Sequence, residues 1–363
     1  MGLWWFLRLA KRREPGWAFR VSTWGPALII LVSSMRLGPD FASFFIQIVR
    51  GPLLCQERGS PMSSLESPST QSIEVPGAES VSGREAPPTV RVEFAGMTDK
   101  GKVRSKNEDH FMVARMAKSM TVCATSLPDA EGTRLSEQEG YLMIVADGMG
   151  GAAAGERASA VAVQSVERYV LDTLKWFLHL EGREEHALFA QLRQGLERAD
   201  RDVIERASVD PKLHGMGTTM TIAYSVGSDL FIVHAGDSRA YLFHDGELEQ
   251  LTSDHTLVQV LVQGGAITPE DAKRHRNRNI VTNVVGGPRE GVFAEIHKLK
   301  VADGDVLLLC SDGLTEPVAD DVIAAILAGN ERPEEACARL IEQANERGGP
   351  DNVTAVVVRY QIR

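Results

Sequence analysis

The stretch LMIVADGMGGAAAGERASA, residues 142–160, is an apolar run that ends in Asp147 and Gly148 and leads through further glycines into a helical pattern. Such a pattern predicts a buried strand followed directly by a helix. A carboxylate at the end of a buried strand is held rigidly, and the glycine beside it lets a backbone carbonyl approach a ligand. Asp-Gly is also an ordinary turn signal, so either role is open for Asp147 from this stretch alone.

The tetrapeptide VADG recurs at residues 301–304, where it separates two strand-like runs by a turn of hairpin length. Asp303 is therefore predicted to be a turn residue, and so is Asp245 in FHDGELEQL. By contrast, LLLCSDGLTEPV, residues 307–318, repeats the strand-to-helix design with Asp312 at the junction.

Short runs of β-branched and apolar residues alternate with helical patterns after residue 89. Because most of the strand candidates are joined by short turns, they favour antiparallel sheets covered by helices, an α+β layered sandwich. Residues 115–140 have no clear period and are predicted to form an exposed loop. The strand candidates are residues 90–97, 141–146, 218–225, 230–235, 240–244, 292–301, 305–310 and 353–362, and the helix candidates are residues 152–180, 184–207, 256–263, 320–327 and 334–347.

The formal net charge of −10 argues against a general nucleic-acid-binding protein, which relies on basic patches. The four cysteines are far apart, and none is followed six residues later by Arg, so the phosphate-binding loop of cysteine phosphatases is absent. Widely spaced cysteines without zinc-like spacing are predicted to be free thiols in a reducing compartment, which indicates a cytoplasmic protein.

The chain is predicted to have three parts. Residues 1–61 carry eight Lys or Arg against three Asp or Glu, and are predicted to be disordered or an over-extended start before Met62. A membrane-surface anchor is the alternative, but membrane contact is not expected, because the apolar runs at residues 24–32 and 41–49 are too short to span a bilayer. Residues 62–88, rich in Ser, Pro, Gly and Glu, are predicted to be a flexible linker, and residues 89–363 the folded domain.

Further acidic groups accompany the two junctions. Glu108 and Asp109 follow Arg104 in VRSKNED, and Asp351 and Asn352 directly precede the last strand candidate. Several carboxylates at strand ends suggest a site for Mg²⁺ or Mn²⁺, which prefer oxygen ligands. The lack of clustered His and Cys disfavours zinc.

Seven motifs in this order resemble the metal-dependent serine/threonine protein phosphatases of type 2C, in their bacterial form. The resemblance covers roughly residues 92–360 and implies a four-layer αββα sandwich of two antiparallel sheets flanked by helices. The motifs are TDKGKVRSKNED, VADGMGG, GMGTTMT, AGDSRAYLF, LTSDHTLVQVLVQGGAIT, CSDGLTEPV and GGPDNVT.

The resemblance implies a centre of two Mn²⁺ or Mg²⁺ ions. Asp147 would bridge the two ions, the Gly148 carbonyl would bind one of them, and Asp312 and Asp351 would bind the other. Asp237 would join Asp312 around a third, weaker metal. Glu108 and Asp109 would act through bound water or support the site, and Asn352 would help to order it.

The resemblance also implies the reaction. Arg104 would hold the phosphoryl oxygens, since a guanidinium can grip two of them at once. Together with Asp147 and Asp312 it would form the catalytic group, and water activated by the metals would attack phosphorus directly, without a phosphoenzyme.

Some residues depart from the family pattern or have an open role. Met149 stands where eukaryotic relatives have His, and Asn283 where the family usually has Arg. His255 is expected to have a capping or packing role, with Asp254 as the cap of the following helix. The basic run KRHRNRN, residues 273–279, is either a solvated surface or a region that attracts phosphorylated substrates.

The expected function is a monomeric bacterial phosphoprotein phosphatase that acts on phosphoserine and phosphothreonine and is paired with a Ser/Thr kinase. The first alternative is a catalytically silent relative that binds phosphoproteins, although it would usually have lost a metal ligand. The second is another two-metal hydrolase such as a nuclease, and the acidic charge weighs against it.

Overall fold

The structure is a computed structural model that describes residues 20–24, 27–31, 90–123, 132–150, 154–174, 183–288 and 291–363. The chain divides into two units, Met1–Val81 and Ser82–Arg363. In the first unit, β1 (Arg20–Trp24) pairs with β2 (Ala27–Leu31) in an antiparallel ladder. Apart from this ladder, the predicted disordered start and linker lie outside the described residues and stay predictions.

The second unit contains helices and strands in alternating groups. Its strands are β3 (Val90–Asp99), β4 (Asp109–Val122), β5 (Gly132–Met149), β6 (Gly217–Thr218), β7 (Met220–Val226), β8 (Asp229–Ala235), β9 (Arg239–His244), β10 (Glu247–Gln250), β11 (Val285–Gly286), β12 (Glu295–Lys300), β13 (Val306–Cys310) and β14 (Val353–Ile362). Its helices are α1 (Ala154–Asp172), α2 (Arg183–Val209), α3 (Leu257–Gln263), α4 (Pro269–Arg274), α5 (Asp312–Thr315), α6 (Asp320–Gly329) and α7 (Pro333–Glu346), with a 3₁₀ turn at Pro211–Leu213. None of the helices in the described ranges is both long and apolar enough to cross a membrane.

The strands form two antiparallel sheets. One has five strands in the order β10-β9-β13-β14-β3, and the other has seven in the order β11-β6-β5-β7-β8-β12, with β4 paired to β5. The central strands β7, β13 and most of β14 are buried along their length, as expected for strands covered on both faces.

Three apolar clusters lie between successive layers. The first joins α1 and α2 to the seven-stranded sheet through residues such as Ala162, Leu196 and Tyr224. The second joins α6 and α7 to the five-stranded sheet, and the third lies between the two sheets, where Met143 and Val356 belong to the same cluster. Three interfaces separate four layers, so the predicted αββα sandwich is confirmed.

The prediction of an exposed loop at residues 115–140 was wrong. β4 and β5 pair from Asp109↔Asp147 out to Val122↔Gly132, with a register shift between Ala117 and Ser119. β7 pairs with β5 only over Gly140–Val145. The outer parts of β4 and β5 therefore form a two-stranded ribbon. Exposed residues on its β4 side, such as Lys118 and Thr121, remove the apolar alternation that marks a half-buried strand.

The two simple turns agree with the sequence. Asp303 and Gly304 connect β12 to β13, and Asp303 Oδ1 accepts a hydrogen bond from Ile362 N at 2.8 Å. Asp245, with a φ of 48°, connects β9 to β10, a conformation that Asp tolerates in a tight turn.

Candidate active site

Asp147 lies near the end of β5, and its backbone is fixed by the start of the neighbouring strands. Its N–H donates to Thr219 Oγ1 at 2.9 Å, and its carbonyl oxygen accepts from Thr219 N and Thr218 Oγ1, both at 2.8 Å. Asp109, the first residue of β4, is its direct cross-strand partner. The strand-to-helix junction of the sequence therefore holds Asp147 rigidly while its carboxylate faces a cavity.

This cavity has a volume of about 450 Å³ and brings together residues that are far apart in the sequence. Of the nine predicted site residues, eight line it: Arg104, Glu108, Asp147, Gly148, Asp237, Asp312, Asp351 and Asn352. The other lining residues are Ser105, Lys106, Met149, Gly150, Asn279 and Val281.

Asp109, the ninth predicted residue, is buried and is not among the lining residues. Its Oδ2 accepts hydrogen bonds from Ser311 Oγ and Thr354 Oγ1, both at 2.7 Å. Its Oδ1 is buried and has no hydrogen-bond partner in the part of the chain that the structure describes. Asp109 is thus placed to support Asp147 rather than to face the cavity.

Several acidic side chains of the site lie close together and are shielded from solvent, and both effects raise their pKa values. Burial raises the pKa of Asp109 to about 6, with repulsion from Asp351 adding to it. Burial, with repulsion from Asp254, likewise raises the pKa of Asp237 to about 6. For Asp147 and Asp312, burial and then the neighbouring carboxylates raise the pKa well above the usual range.

The same residues fit a pair of hard divalent cations. Asp312, which lines the cavity, has a buried carboxylate oxygen, Oδ1, without a hydrogen-bond partner among the described residues. A cation would satisfy such an oxygen and offset the repulsion that raises the pKa values. The donors are oxygens, which suits Mg²⁺ and Mn²⁺.

Two glycines let the backbone close around this site. A Cβ on Gly148 would lie 2.2 Å from Gly155 O and 2.7 Å from Glu108 O. A Cβ on Gly155, in the first turn of α1, would lie 2.5 Å from Glu108 Oε2. Any side chain at either position would displace the backbone or the Glu108 carboxylate.

Residues 100–108 are attached to the end of the chain by two side chains. Asn352 Oδ1 accepts from Glu108 N at 2.8 Å, while its Nδ2 donates to Lys100 O at 2.9 Å and to Lys106 O at 2.8 Å. Arg104 Nη2 lies 2.5 Å from Asp351 Oδ2. The predicted phosphate-binding arginine thus lies beside a predicted metal ligand.

An ion pair supports the loop that carries Asp237. Arg239 donates from Nε and Nη2 to the two oxygens of Asp254, at 2.8 and 2.7 Å. The prediction that Asp254 caps the next helix was wrong, because this bidentate pair occupies its carboxylate. Thr256 caps α3 instead, its side chain accepting from Gln259 N.

His255 has a packing role, as expected. Its Nδ1 accepts from Gly236 N at 3.1 Å, which places the ring proton on Nε2, 3.0 Å from Glu295 Oε2. His234 stacks on it with ring centroids 4.9 Å apart. Although His234, His255 and Glu295 are close enough to share a metal, both ring nitrogens of His255 are already committed to hydrogen bonds.

Asn283 also belongs to this packed region and does not line the cavity. Its side chain donates to Phe293 O at 2.8 Å and accepts from Phe293 N at 2.9 Å. Asn283, which stands where the family usually has Arg, therefore binds the backbone of Phe293.

Sequence reasoning assigned no role to several residues that form the site. Thr218 and Thr219 lie in the quoted motif GMGTTMT, and adjacent threonines opposite an Asp-Gly strand end could have indicated their bonds to Asp147. Asn279 and Val281 line the cavity from a segment that is distant in the sequence, and a local sequence pattern cannot predict such a long-range contact.

A cavity lined by several carboxylates suits an enzyme that holds divalent cations. Comparison with known proteins identifies the family. The family model described as protein phosphatase 2C matches residues 125–353. On this match and on the relatives below, the chain belongs to the protein phosphatase 2C family.

Three relatives illustrate the similarity. The serine/threonine protein phosphatase PstP of Mycobacterium tuberculosis is 37% identical over 270 residues, which are 74% of this chain and 45% of that protein. The serine/threonine phosphatase stp of Listeria monocytogenes is 34% identical over 265 residues, 73% of this chain and 94% of that protein. The crystal structure of the catalytic domain of PstP in complex with two manganese ions is 34% identical, with a TM-score of 0.58, and the match covers 75% of this chain and all of that one. The chain thus spans about half the length of the mycobacterial relative.

Proposed function

We propose that the chain is a metal-dependent phosphoprotein phosphatase that hydrolyses phosphoserine and phosphothreonine by direct attack of water on phosphorus. The observation that carries this proposal is the meeting of Asp147, Asp312, Asp351 and Arg104 in one cavity. Family membership and the manganese ions in the PstP structure support it.

The acidic residues would hold the cations. Asp147, the Gly148 carbonyl, Asp312 and Asp351 would hold two ions. Asp237 would help Asp312 to hold a third, weaker ion. When bound, two such ions supply a water of lowered pKa and positive charge that stabilises an in-line displacement.

The other residues position the substrate and the ligands. Arg104 is half-exposed at the rim, where its guanidinium can turn from Asp351 to two phosphoryl oxygens. Asp109 holds its place beside Asp147 through Ser311 and Thr354. Glu108 lies against Gly155, where it can accept a hydrogen bond from bound water.

The proposal extends to the setting of the protein. We infer phosphorylated Ser/Thr proteins as substrates, a Ser/Thr kinase as the opposing enzyme, a monomeric state and the cytoplasm as the location. The free thiols of Cys123, Cys310 and Cys337 support a reducing compartment.

The test is hydrolysis of p-nitrophenyl phosphate and of a phosphothreonine peptide, with Mn²⁺ or with EDTA. We expect turnover by the unaltered chain in Mn²⁺ only, and none by Asp147→Ala. Activity that survives both EDTA and the substitution would overturn the assigned site. A folded but inactive unaltered chain in Mn²⁺ would favour a silent, phosphoprotein-binding relative.

A further inference from the structure

A strongly basic segment lies beside the acidic cavity. Residues 273–278, KRHRNR, hold four Lys or Arg and no acidic residue, in a chain whose net charge is −10. Lys273, Arg274 and Arg276 are exposed, and among the described residues none of them has a carboxylate within ion-pair distance. Arg278 differs, because its Nε lies 3.9 Å from Glu316 Oε1. Three cationic side chains of the basic segment are therefore available to bind an anionic ligand.

Local hydrogen bonds give the basic segment a defined shape. His275 N donates to Ala272 O, and Arg278 N donates to His275 O, both at 3.1 Å. Asn277 N donates to His275 Nδ1 at 3.2 Å. These successive turns fix the backbone from which the basic side chains project.

The end of the segment is attached at the wall of the cavity. Ile280 O accepts from Leu257 N at 2.8 Å, and Val281 forms a β-bridge with Thr256. Asn279 and Val281 line the cavity themselves. Arg276 is three residues before Asn279, so its Cα lies at most about 10 Å from that wall.

We propose that the basic segment binds a second anionic group, best a phosphate, on the same substrate chain as the phosphoserine or phosphothreonine to be hydrolysed. This inference rests on the proposed function and names the preferred substrates of that site. An extended peptide advances about 3.4 Å per residue, so an anion about three residues from the hydrolysed group reaches the segment. Arg side chains bind phosphate and carboxylate alike through two parallel hydrogen bonds. A phosphate is the stronger ligand because it carries a charge of about −1.5 to −2 at pH 7 and three acceptor oxygens.

The experiment compares two peptides that each carry one hydrolysable phosphothreonine. The first has Ala at the third residue on either side, and the second has a non-hydrolysable phosphonate analogue of phosphothreonine at one of these positions. The proteins are the unaltered chain, the combined variant Lys273→Gln, Arg274→Gln, Arg276→Gln, and a control variant Arg193→Gln, Arg206→Gln, Lys212→Gln. The control removes the same number of exposed charges from α2 and the turn after it.

For the unaltered chain we expect kcat/KM to be about three- to tenfold higher for the peptide with the second anion, mainly through a lower KM. The ratio of kcat/KM between the two peptides should fall to about one in the basic-segment variant, because its substitutions remove the docking charges. The same ratio should stay unchanged in the control variant. Hydrolysis of p-nitrophenyl phosphate, which has no flanking group, should be equal in all three proteins.

The outcomes separate this inference from the proposed function. Without hydrolysis of p-nitrophenyl phosphate in Mn²⁺, the proposed function fails. With that hydrolysis intact, a peptide ratio of one in the unaltered chain, or an equal loss in the control variant, overturns the docking role alone. If the basic-segment substitutions abolish binding to phosphatidylserine vesicles but leave the peptide ratio unchanged, the segment binds membranes and the inference is wrong.

Discussion

Arg104 and Asp351 form an ion pair at the rim of the cavity, with Arg104 Nη2 2.5 Å from Asp351 Oδ2. The two residues are assigned to different partners, phosphate for Arg104 and a cation for Asp351. The pair therefore links the proposed phosphate-binding residue to a proposed metal ligand, and a cation at Asp351 would free Arg104 to bind phosphate.

Arg104→Ala should separate substrate binding from metal binding. We expect kcat/KM for a phosphothreonine peptide to fall about 10- to 1000-fold, because a charge-assisted bidentate contact is lost. The affinity for Mn²⁺, measured by calorimetry, should not weaken, because Asp351 loses a competing partner. A loss of Mn²⁺ affinity equal to the loss of activity would contradict the assigned role, and Arg115→Ala on the β4–β5 ribbon serves as the control.

Asp147→Asn should stabilise the metal-free protein while abolishing its response to metal. Burial and the neighbouring carboxylates raise the pKa of Asp147, so its charge opposes folding at neutral pH. In EDTA at pH 7.5 we expect the variant to have a higher melting temperature than the unaltered chain. Addition of Mn²⁺ should raise the melting temperature of the variant less than that of the unaltered chain.

Asp245→Asn is the matched control, because Asp245 is a turn residue outside the cavity and Asn also tolerates its positive φ. It should retain the full Mn²⁺ response. If Asp147→Asn kept that response as well, Asp147 would not be a metal ligand.

The metal-free protein should lose stability as the pH rises. The folded-state pKa values of Asp109 and Asp237 are about 6, above the value of about 3.9 for an unfolded aspartate. The folded state therefore binds more protons than the unfolded state between these values, and its stability declines as the pH rises through about 6.

Urea denaturation in EDTA at pH 5, 6, 7 and 8 measures this change. Saturating Mn²⁺ should reduce the decline that runs up to about pH 6, since the cations offset the carboxylate charges. A stability in EDTA that rises from pH 5 to pH 8 would contradict the proposed crowding of buried acids.

Gly148→Ala tests the close approach of the backbone. The added Cβ would meet Gly155 O and Glu108 O well inside contact distance. We expect a loss of about 2 kcal/mol or more in the free energy of unfolding, in line with other strained or overpacked sites, and loss of Mn²⁺ binding. Gly329→Ala, in α6 with no atom near the new methyl group, should be neutral or stabilising.

The parts of the site that sequence could predict lie where local pattern and chemistry coincide. Asp147 and Asp312 follow apolar runs and precede Gly and a helix, so the sequence pattern predicted their position at strand ends. Asp303 and Asp245 carry the same Asp-Gly pair but stand between strands, and the structure places them in turns.

The errors arose where distant contacts outweigh local preference. Asp254 is a good helix-capping residue, yet Arg239 at the start of β9 binds its carboxylate. On the β4 side of the ribbon Arg115, Lys118, Ser119 and Thr121 are exposed, so the backbone pairing leaves little mark on the side-chain pattern. Asn279 reaches the cavity only because the segment before it folds back through successive turns.

The central claim is that acidic residues from separate parts of the chain hold a pair of hard cations. The most direct measurement is anomalous diffraction at the manganese edge from crystals grown with Mn²⁺. We predict two strong peaks on either side of the Asp147 carboxylate, within bonding distance of Gly148 O, Asp312 and Asp351. Peaks confined to other acidic surfaces, or an empty cavity at saturating Mn²⁺, would contradict the account.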